Sequence, residues 1–113
     1  MPLLPKLLAG IAAIAESHQV EIPTVAHAGD GNTHPIIVFD PADLQAERRA
    51  RTAFEDIMLL AISLGGTITG EHGVGRLKKS YLPAQLGPDV IALTHRIKDA
   101  LDPLGILNPG AVI

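Results

Sequence analysis

The residues best suited to chemistry are two histidines that flank a short glycine-rich segment. His27 and His34 enclose the sequence Ala-Gly-Asp-Gly-Asn-Thr. Its Asp30-Gly31 pair lies between two stretches rich in β-branched residues, a pattern typical of a β-hairpin with a type I′ turn. If these two residues form the centre of the turn, the histidines are directly opposed, with Cβ atoms about 4.5–5.5 Å apart. Two imidazoles at that spacing can bind one divalent ion.

The same residues leave two alternatives open. A turn centred one residue earlier would pair His27 with Asn32, and the two histidines would no longer be directly opposed. One or both histidines could also serve only as hydrogen-bonding groups at a strand end. His18 and His95 have no comparable partner in the sequence, and we predict that both lie on the surface.

A second glycine-rich segment, residues 69–75, contains an acid and a further histidine. Glu71 and His72 are adjacent there, and glycine on both flanks permits close approach of the backbone to a ligand. Two histidines and one carboxylate leave open coordination positions, as in catalytic divalent-metal sites. His72 would then be available as a base. The alternative is a loop in which the glycines only make turns.

The composition describes an ordinary globular domain. The chain has 113 residues, enough for one domain with one hydrophobic core. Hydrophobic residues make up 47% and charged residues 19%, which excludes a disordered tail. With one Tyr, two Phe and no Trp, the core must consist of Leu, Ile, Val and Ala. Because there is no cysteine, disulfides, thiolate metal sites and cysteine catalysis are excluded.

The charge pattern argues against nucleic acid as a partner. The formal net charge is −3, and the few aromatic residues cannot form a base-stacking surface. Arg76, Lys78 and Lys79 could attract an acidic substrate, although solvation is the simpler interpretation for the two lysines. No apolar run reaches the roughly 18 residues of a membrane span, and the start lacks signal-peptide features. We therefore expect a soluble cytoplasmic protein.

Amphipathic helices and short strands must position these residues. The predicted elements are, in chain order, a helix over residues 3–17, strands over 20–26 and 35–39, a helix over 44–63, broken helical turns over 77–86 and a helix over 89–101. Asp40 or Asp43 is the expected N-cap of the long helix. The apolar stripe of the last helix is expected to face inward; it consists of Val90, Leu93, Ile97 and Leu101.

This order of elements predicts an α+β fold. We expect an antiparallel sheet with an Asp-Gly hairpin, helices packed on one face of the sheet and a helical C-terminal tail. Residues 105–110 of this tail are too kinked to continue the preceding helix. A two-stranded sheet is marginally stable by itself. Part of the sheet is therefore expected to come from sequence outside these residues.

Three motifs, in this order, resemble the C-terminal domain of the FAD-linked oxidases, the family of the glycolate oxidase D subunit, D-lactate dehydrogenase and D-2-hydroxyglutarate dehydrogenase. The motifs are HAGDGNTHP from His27, GGTITGEHGVG from Gly65 and ALDPLGILNPG from Ala100. The stretch HPIIVFD from His34 is most similar to the glycolate oxidase D subunit. The resemblance implies that residues 1–113 are one C-terminal domain fragment, without the N-terminal FAD-binding domain.

The resemblance also implies a set of site residues. In metal-dependent members, the hairpin histidines and the glutamate bind a divalent ion, usually zinc, which corresponds here to His27, His34 and Glu71. The ion would polarise the substrate hydroxyl and carboxylate as a Lewis acid. His72 would remove the hydroxyl proton, and hydride would pass from the substrate carbon to FAD.

Further positions follow from the same resemblance. Asn32 and Asn108 are expected near the flavin or the metal. Ile36 stands where the 2-hydroxyglutarate enzyme has a substrate-binding asparagine, which argues against that substrate. Ala111 replaces the lysine that usually follows NPG. The implied partners are a small 2-hydroxy acid, an FAD-binding domain or subunit and an iron–sulfur electron-transfer subunit.

The sequence therefore predicts the metal and substrate part of a flavin-dependent 2-hydroxy-acid dehydrogenase, which would oxidise glycolate or D-lactate to the 2-oxo acid. The main alternative is a non-catalytic metal-binding or subunit-interaction module derived from that family. A metallohydrolase could also use two histidines and one glutamate, but no HExxH pattern is present. We expect the isolated fragment neither to hold FAD firmly nor to turn over substrate.

Overall fold

A computed structural model describes residues 2–113 and contains, over that range, three α-helices and a two-stranded antiparallel sheet. The elements are α1 (Leu4–His18), β1 (Thr24–Ala26), β2 (Thr33–Pro35), α2 (Leu44–Ser63), a 3₁₀ turn (Lys79–Tyr81) and α3 (Leu82–Leu101). The α+β class predicted from the sequence is thereby confirmed. The chain divides into two units, one ending at Gly66 and one comprising Thr67–Ile113.

The core of the first unit lies between α1 and α2. Its buried side chains are aliphatic or thioether groups, namely Ile11, Ala46, Ala50, Ala53, Ile57 and Met58. On α2, the residues from Ala46 to Ile57 recur at spacings of three and four and so share one helix face, which Met58 adjoins. The helices approach closely at Gly10, where a Cβ atom would lie 2.5 Å from Leu60 Cδ2. None of the buried residues described for this unit is aromatic, as the composition predicts, but Met58 joins the aliphatic residues that were expected.

His18 connects the end of α1 to α2. Its Nε2 atom lies 2.7 Å from Asp56 Oδ2, and its side chain is only 21% exposed. The prediction of a surface histidine without a partner is therefore wrong for His18, because the partner is far away in sequence. His95 is exposed on α3, as predicted.

Helix α2 begins and ends where the sequence predicts. Asp43 is the N-cap: its Oδ1 atom accepts hydrogen bonds from the N–H groups of Gln45 (2.8 Å) and Ala46 (3.1 Å). These bonds satisfy two of the unpaired donors of the first turn. The bond from Ala46, followed by that from Gln45, holds the pKa of the Asp43 carboxyl below its ordinary value. The other candidate, Asp40, instead accepts from the Ala42 N–H at 2.9 Å in the preceding turn.

The first strand is shorter than the predicted range 20–26, and the prediction of a second strand over 35–39 is wrong except at its first residue, because β2 comprises Thr33–Pro35. An isolated bridge between Glu21 and Val38 continues the pairing beyond them. The Ile36 N–H donates to the carbonyl of Pro23 at 2.9 Å, but Pro23 has no N–H with which to donate in return. Proline therefore interrupts the regular ladder within segments that the β-branched pattern predicts as continuous strands.

Helix α3 combines the predicted broken turns with the predicted last helix. A kink at Gly87, with φ 77° and ψ 167°, divides it in front of Pro88. Proline disfavours a helical conformation in the preceding residue and lacks an N–H. The prediction of an inward-facing apolar stripe is wrong for the described chain. These side chains are exposed, by 45% for Val90, 52% for Leu93, 51% for Ile97 and 76% for Leu101.

Periodicity identifies an apolar face of a helix but not the surface that covers it, which explains the difference. The less exposed side of α3 runs through Ile91, Thr94 and Lys98. None of the helices within residues 2–113 is both long and apolar enough to span a membrane.

Asp102 organises the chain that follows α3. It is 7% exposed, and its carboxylate accepts hydrogen bonds from Lys98 Nζ and from the N–H groups of Ile106 (3.0 Å) and Leu107 (2.9 Å). Lys98 Nζ also donates to the Leu107 carbonyl at 2.7 Å. The Lys98 hydrogen bond holds the pKa of Asp102 below its ordinary value of 3.8, assisted by the two backbone bonds, although burial acts in the opposite direction.

A pH titration should therefore detect the loss of this carboxylate. Because its pKa is lowered in the folded chain, its stabilisation is complete above the unfolded pKa and is lost as the pH falls through the folded pKa. We expect the amide signals of Ile106 and Leu107 to lose dispersion below the ordinary value of 3.8. In Asp102→Asn the amide signals of Ile106 and Leu107 should be poorly dispersed already at neutral pH. The exposed Asp99→Asn is the matched control, and identical profiles for the two variants would contradict this role.

Candidate metal site

The hairpin formed by β1 and β2 carries the two histidines of the first motif. Its register pairs Thr24 with Pro35, Val25 with His34 and Ala26 with Thr33. Beyond the strands, the His27 N–H donates to the Asn32 carbonyl at 2.8 Å. The prediction that the two histidines are directly opposed is therefore wrong. His27 is instead opposite Asn32, the pairing expected for a turn centred one residue earlier.

The turn itself explains the register. The loop comprises residues 28–31, and the Gly31 N–H donates to the His27 carbonyl at 2.8 Å. Within this loop only Gly31 has a positive φ, of 79°, whereas a type I′ turn needs positive φ at both central residues. Asp30 Oδ1 accepts the Asn32 N–H at 2.9 Å, as aspartate commonly does in turns. This side-chain bond favours a four-residue loop over the two-residue turn.

The two imidazoles nevertheless lie close together. Their ring centroids are 5.3 Å apart, and the ring planes make an angle of 85°. The observed partner of His34 differs from the predicted one by two residues, and side chains along a strand alternate with a period of two. Both histidines therefore remain on the same face of the hairpin, as diagonal instead of opposed neighbours.

This spacing fits two ligands of one ion. In a tetrahedral zinc site with Zn–N bonds of about 2.0–2.1 Å, the centroids of two bound imidazoles are about 5 Å apart. The observed value of 5.3 Å is close to this distance. His27 is exposed and His34 is half-buried, so solvent reaches the pair from the side of His27. Neutral imidazole is a suitable ligand for zinc and for several other divalent metals.

In the second unit, Glu71 and His72 lie in the glycine-rich loop between Thr69 and Gly75. His72 Nε2 is 3.7 Å from Glu71 Oε1, and the side chains are 71% and 57% exposed respectively. The pair is thus accessible to a ligand, and the carboxylate faces the imidazole.

Hydrogen bonds from outside the motif hold this loop. Thr69 Oγ1 donates to the Gly73 carbonyl at 2.5 Å. Gln85 Oε1, on α3, accepts the N–H of the buried Ile68 at 2.7 Å, immediately before the loop. Sequence reasoning missed Gln85, because a single glutamine 17 residues away carries no local signal of this contact.

The remaining predicted site residues occupy different places. Asn32 is half-buried and adjoins the histidines in the hairpin. Asn108 lies in the second unit, with φ 48°, and its carbonyl accepts the Ala111 N–H at 3.3 Å. Ala111 is 7% exposed, so the position of the family lysine is buried here. Lys78 and Lys79 are half-buried and so less solvated than expected, and burial lowers the pKa of Lys78 below its ordinary 10.5.

Comparison with known proteins identifies one family. The family model described as "FAD linked oxidases, C-terminal domain" matches residues 2–112. Glycolate oxidase subunit GlcD of Escherichia coli K12 is 43% identical over 107 residues, which cover 95% of this chain and 21% of that protein. GlcD of Bacillus subtilis is also 43% identical over 107 residues, covering 95% of this chain and 23% of the relative.

A mitochondrial relative shows the same similarity. The D-lactate dehydrogenase [cytochrome] of Arabidopsis thaliana is 46% identical over 89 residues, which cover 79% of this chain and 16% of the relative. The chain therefore spans about a fifth of the length of these relatives. The matched region includes both glycine-rich segments and the tail.

Proposed function

The chain belongs to the FAD-linked oxidases through their C-terminal domain, and we propose that it supplies the metal-binding and proton-accepting part of a flavin-dependent 2-hydroxy-acid dehydrogenase. The observation that carries this proposal is the placement of His27 and His34 on one hairpin face, with ring centroids 5.3 Å apart. Glycolate or D-lactate is the proposed substrate, to be oxidised to the 2-oxo acid. The names of the relatives support this class of acid.

We assign His27, His34 and Glu71 as ligands of one divalent ion, with zinc as the best-fitting metal. The hairpin geometry supports the two histidines, and the resemblance of the GEHG motif supports the glutamate. Two imidazoles and one carboxylate are donors that zinc accepts, and they leave a position for substrate. Such an ion, when bound, polarises the hydroxyl and carboxylate of the acid.

His72 is the proposed base. Its imidazole is exposed, and a neutral imidazole can accept the hydroxyl proton of a bound 2-hydroxy acid. Glu71 Oε1, 3.7 Å from His72 Nε2, would stabilise the positive charge that His72 gains. FAD supplies the chemistry of hydride acceptance from the substrate carbon. Asn32 and Asn108 are proposed to adjoin the flavin or the metal.

The rest of the oxidase is proposed to hold most of the FAD. We treat residues 1–113 as one C-terminal domain fragment that acts with an FAD-binding domain or subunit. A cytoplasmic position is proposed, with an iron–sulfur subunit as electron acceptor and with any inner-membrane attachment made by the partners. The short coverage of the relatives, 21% of Escherichia coli GlcD, supports a larger working unit.

The apolar stripe of α3 is the surface that we assign to the FAD-binding part. Its central members, Leu93 and Ile97, are 52% and 51% exposed, which is unusual for large aliphatic side chains aligned on one helix face. The opposite side of α3 is half-buried, and its Lys98 is hydrogen-bonded to Asp102. The stripe is therefore the side of α3 that we propose for docking.

Reconstitution tests this function. The chain is mixed with the FAD-binding region of a glycolate oxidase, and sedimentation is followed at the flavin absorption band. We expect association together with dye reduction by glycolate or D-lactate. Ile97→Asp should weaken the association about 30-fold or more, because disrupting a central interface residue costs about 2 kcal/mol or more. The exposed His95, two residues before Ile97 on α3 and not a member of the stripe, provides the control variant His95→Asp, which should bind normally.

Other outcomes separate the candidate functions. Association without dye reduction, in a complex that holds both FAD and metal, would identify a non-catalytic interaction module. Equal binding by wild type and Ile97→Asp would exclude the stripe as the docking surface.

A further inference from the structure

The loop that carries Glu71 and His72 is tied to a tail comprising residues 108–113. The Val112 N–H donates to the Gly75 carbonyl at 2.8 Å, which is the longest-range backbone hydrogen bond within the second unit. It joins the tail to the last residue of the loop. Both partners belong to the unit Thr67–Ile113.

Arg76, which follows Gly75, makes a second hydrogen bond between the end of the loop and the tail. Its Nη2 atom donates to the Pro109 carbonyl at 2.9 Å. The guanidinium group is planar and carries its donors in a fixed geometry, so this contact restrains the tail and the loop end together. The sequence suggested that Arg76 attracts substrate, but the structure shows its side chain engaged with the tail.

The tail has a defined and partly strained conformation. Asn108 and Val112 have positive φ values of 48° and 61°, and Gly110 has 79°. A positive φ is rare for a β-branched residue such as valine, and persists only where the surrounding structure imposes it. Ala111, next to Val112, is buried at 7% exposure. These features indicate a tail held in place against a local conformational preference.

The loop needs such restraint because its own sequence provides little. Gly73 and Gly75 have φ values of 74° and 57°, and glycine restricts the backbone less than any other residue. The loop is anchored on its N-terminal side by Gln85. On its C-terminal side the loop is held by the two hydrogen bonds that Gly75 and Arg76 make with the tail.

We propose that Arg76 is a positioning residue, and that Arg76 and the tail together clamp the loop so that Glu71 and His72 are presented in one arrangement. Arg76 acts through its hydrogen bond to the Pro109 carbonyl, and no direct contact with ion or substrate is assigned to it. A ligand on a clamped loop loses less conformational freedom on binding than one on a mobile loop, so the clamp raises metal affinity. This inference rests on the proposed function in one respect, the role of Glu71 as a ligand.

The test compares three variants of the full chain, with Co²⁺ as the metal probe. Arg76→Gln removes the guanidinium, Arg76→Lys retains a cation, and Lys79→Gln is the matched control for loss of a nearby positive charge. We expect Arg76→Gln to lower Co²⁺ affinity about 10-fold, the lower limit for loss of an outer-shell contact. Arg76→Lys should recover part of this loss, and Lys79→Gln should bind as wild type does.

Amide hydrogen exchange without metal gives an independent readout. Exchange at Glu71, His72 and Gly73 should be faster in Arg76→Gln than in wild type and in Lys79→Gln. Because Arg76 is exposed, its replacement should leave the far-UV circular dichroism unchanged.

The outcomes distinguish the clamp from the metal site. If wild type binds Co²⁺ through Glu71 while Arg76→Gln shows unchanged affinity and unchanged exchange, the clamp is excluded and the metal site stands. If wild type binds no Co²⁺, the metal assignment fails, and exchange at residues 71–73 alone decides the clamp. Faster exchange in Arg76→Gln then supports it, and unchanged exchange overturns it.

Discussion

Replacement of His34 by alanine is expected to lower the affinity for a divalent ion by more than about 100-fold, since loss of even an outer-shell partner costs about 10–100-fold. The ring centroids of His34 and His27 are 5.3 Å apart, so removing either imidazole removes one of the two proposed nitrogen ligands of the ion. The remaining ring and a carboxylate would form a weak, largely hydrated site. His27→Ala and Glu71→Ala should have effects of the same order.

The measurement is metal content and affinity in protein purified without chelator. About one zinc ion per chain is expected in wild type, as a single mononuclear site requires. Competition with a coloured chelator then gives the affinities of the variants. His95→Ala is the control, because this exposed histidine lies on α3 outside the motifs. Retention of full metal content by both His27→Ala and Glu71→Ala would refute the ligand assignment.

Replacement of Ile57 by alanine should give the largest loss of stability. Ile57 is 4% exposed, in the core between α1 and α2. Removing three carbons from a buried isoleucine leaves a cavity and costs about 2–5 kcal/mol. Domains of this size are typically stable by only about 5–15 kcal/mol, so a large part of the unfolding free energy would be lost.

Urea unfolding followed by circular dichroism at the helix band measures this effect. Leu59→Ala is the matched control on the same helix, because Leu59 is 53% exposed and its replacement should change stability by no more than about 0.5 kcal/mol. A similar shift in urea midpoint for both variants would show that the α1–α2 contact is not the core of this unit.

Helix α2 shows which features could be predicted from the sequence. Its bounds, Leu44–Ser63, agree with the prediction, and Asp43 is one of the two N-caps considered. Amphipathic spacing, a capping side chain and the following glycines all act within a few residues of the backbone they affect. The family resemblance was equally accessible, since three motifs carry it, and the match over residues 2–112 confirms it.

The hairpin shows where local signals were insufficient. Asp30-Gly31 predicts a turn correctly, but the sequence does not decide between a turn centred there and one centred one residue earlier, and the structure forms a four-residue loop in place of either. The Asp30 side chain, which accepts the Asn32 N–H, favours the longer loop and shifts the register by two residues. His27 and His34 remain close only because this shift is an even number of residues.

The sequence by itself determined the α+β class, the long helix and the family, and it supplied the candidate metal ligands and the candidate base. These depend on residue type and on short spacings along the chain. The tertiary structure decided that His18 binds Asp56, that the stripe of α3 is exposed, that Gln85 accepts the Ile68 N–H and that Arg76 donates to the Pro109 carbonyl. The bonds joining Ile68 to Gln85 and Arg76 to Pro109 span 17 and 33 residues. Such contacts depend on how the chain brings distant segments together, and no local pattern of residues specifies them.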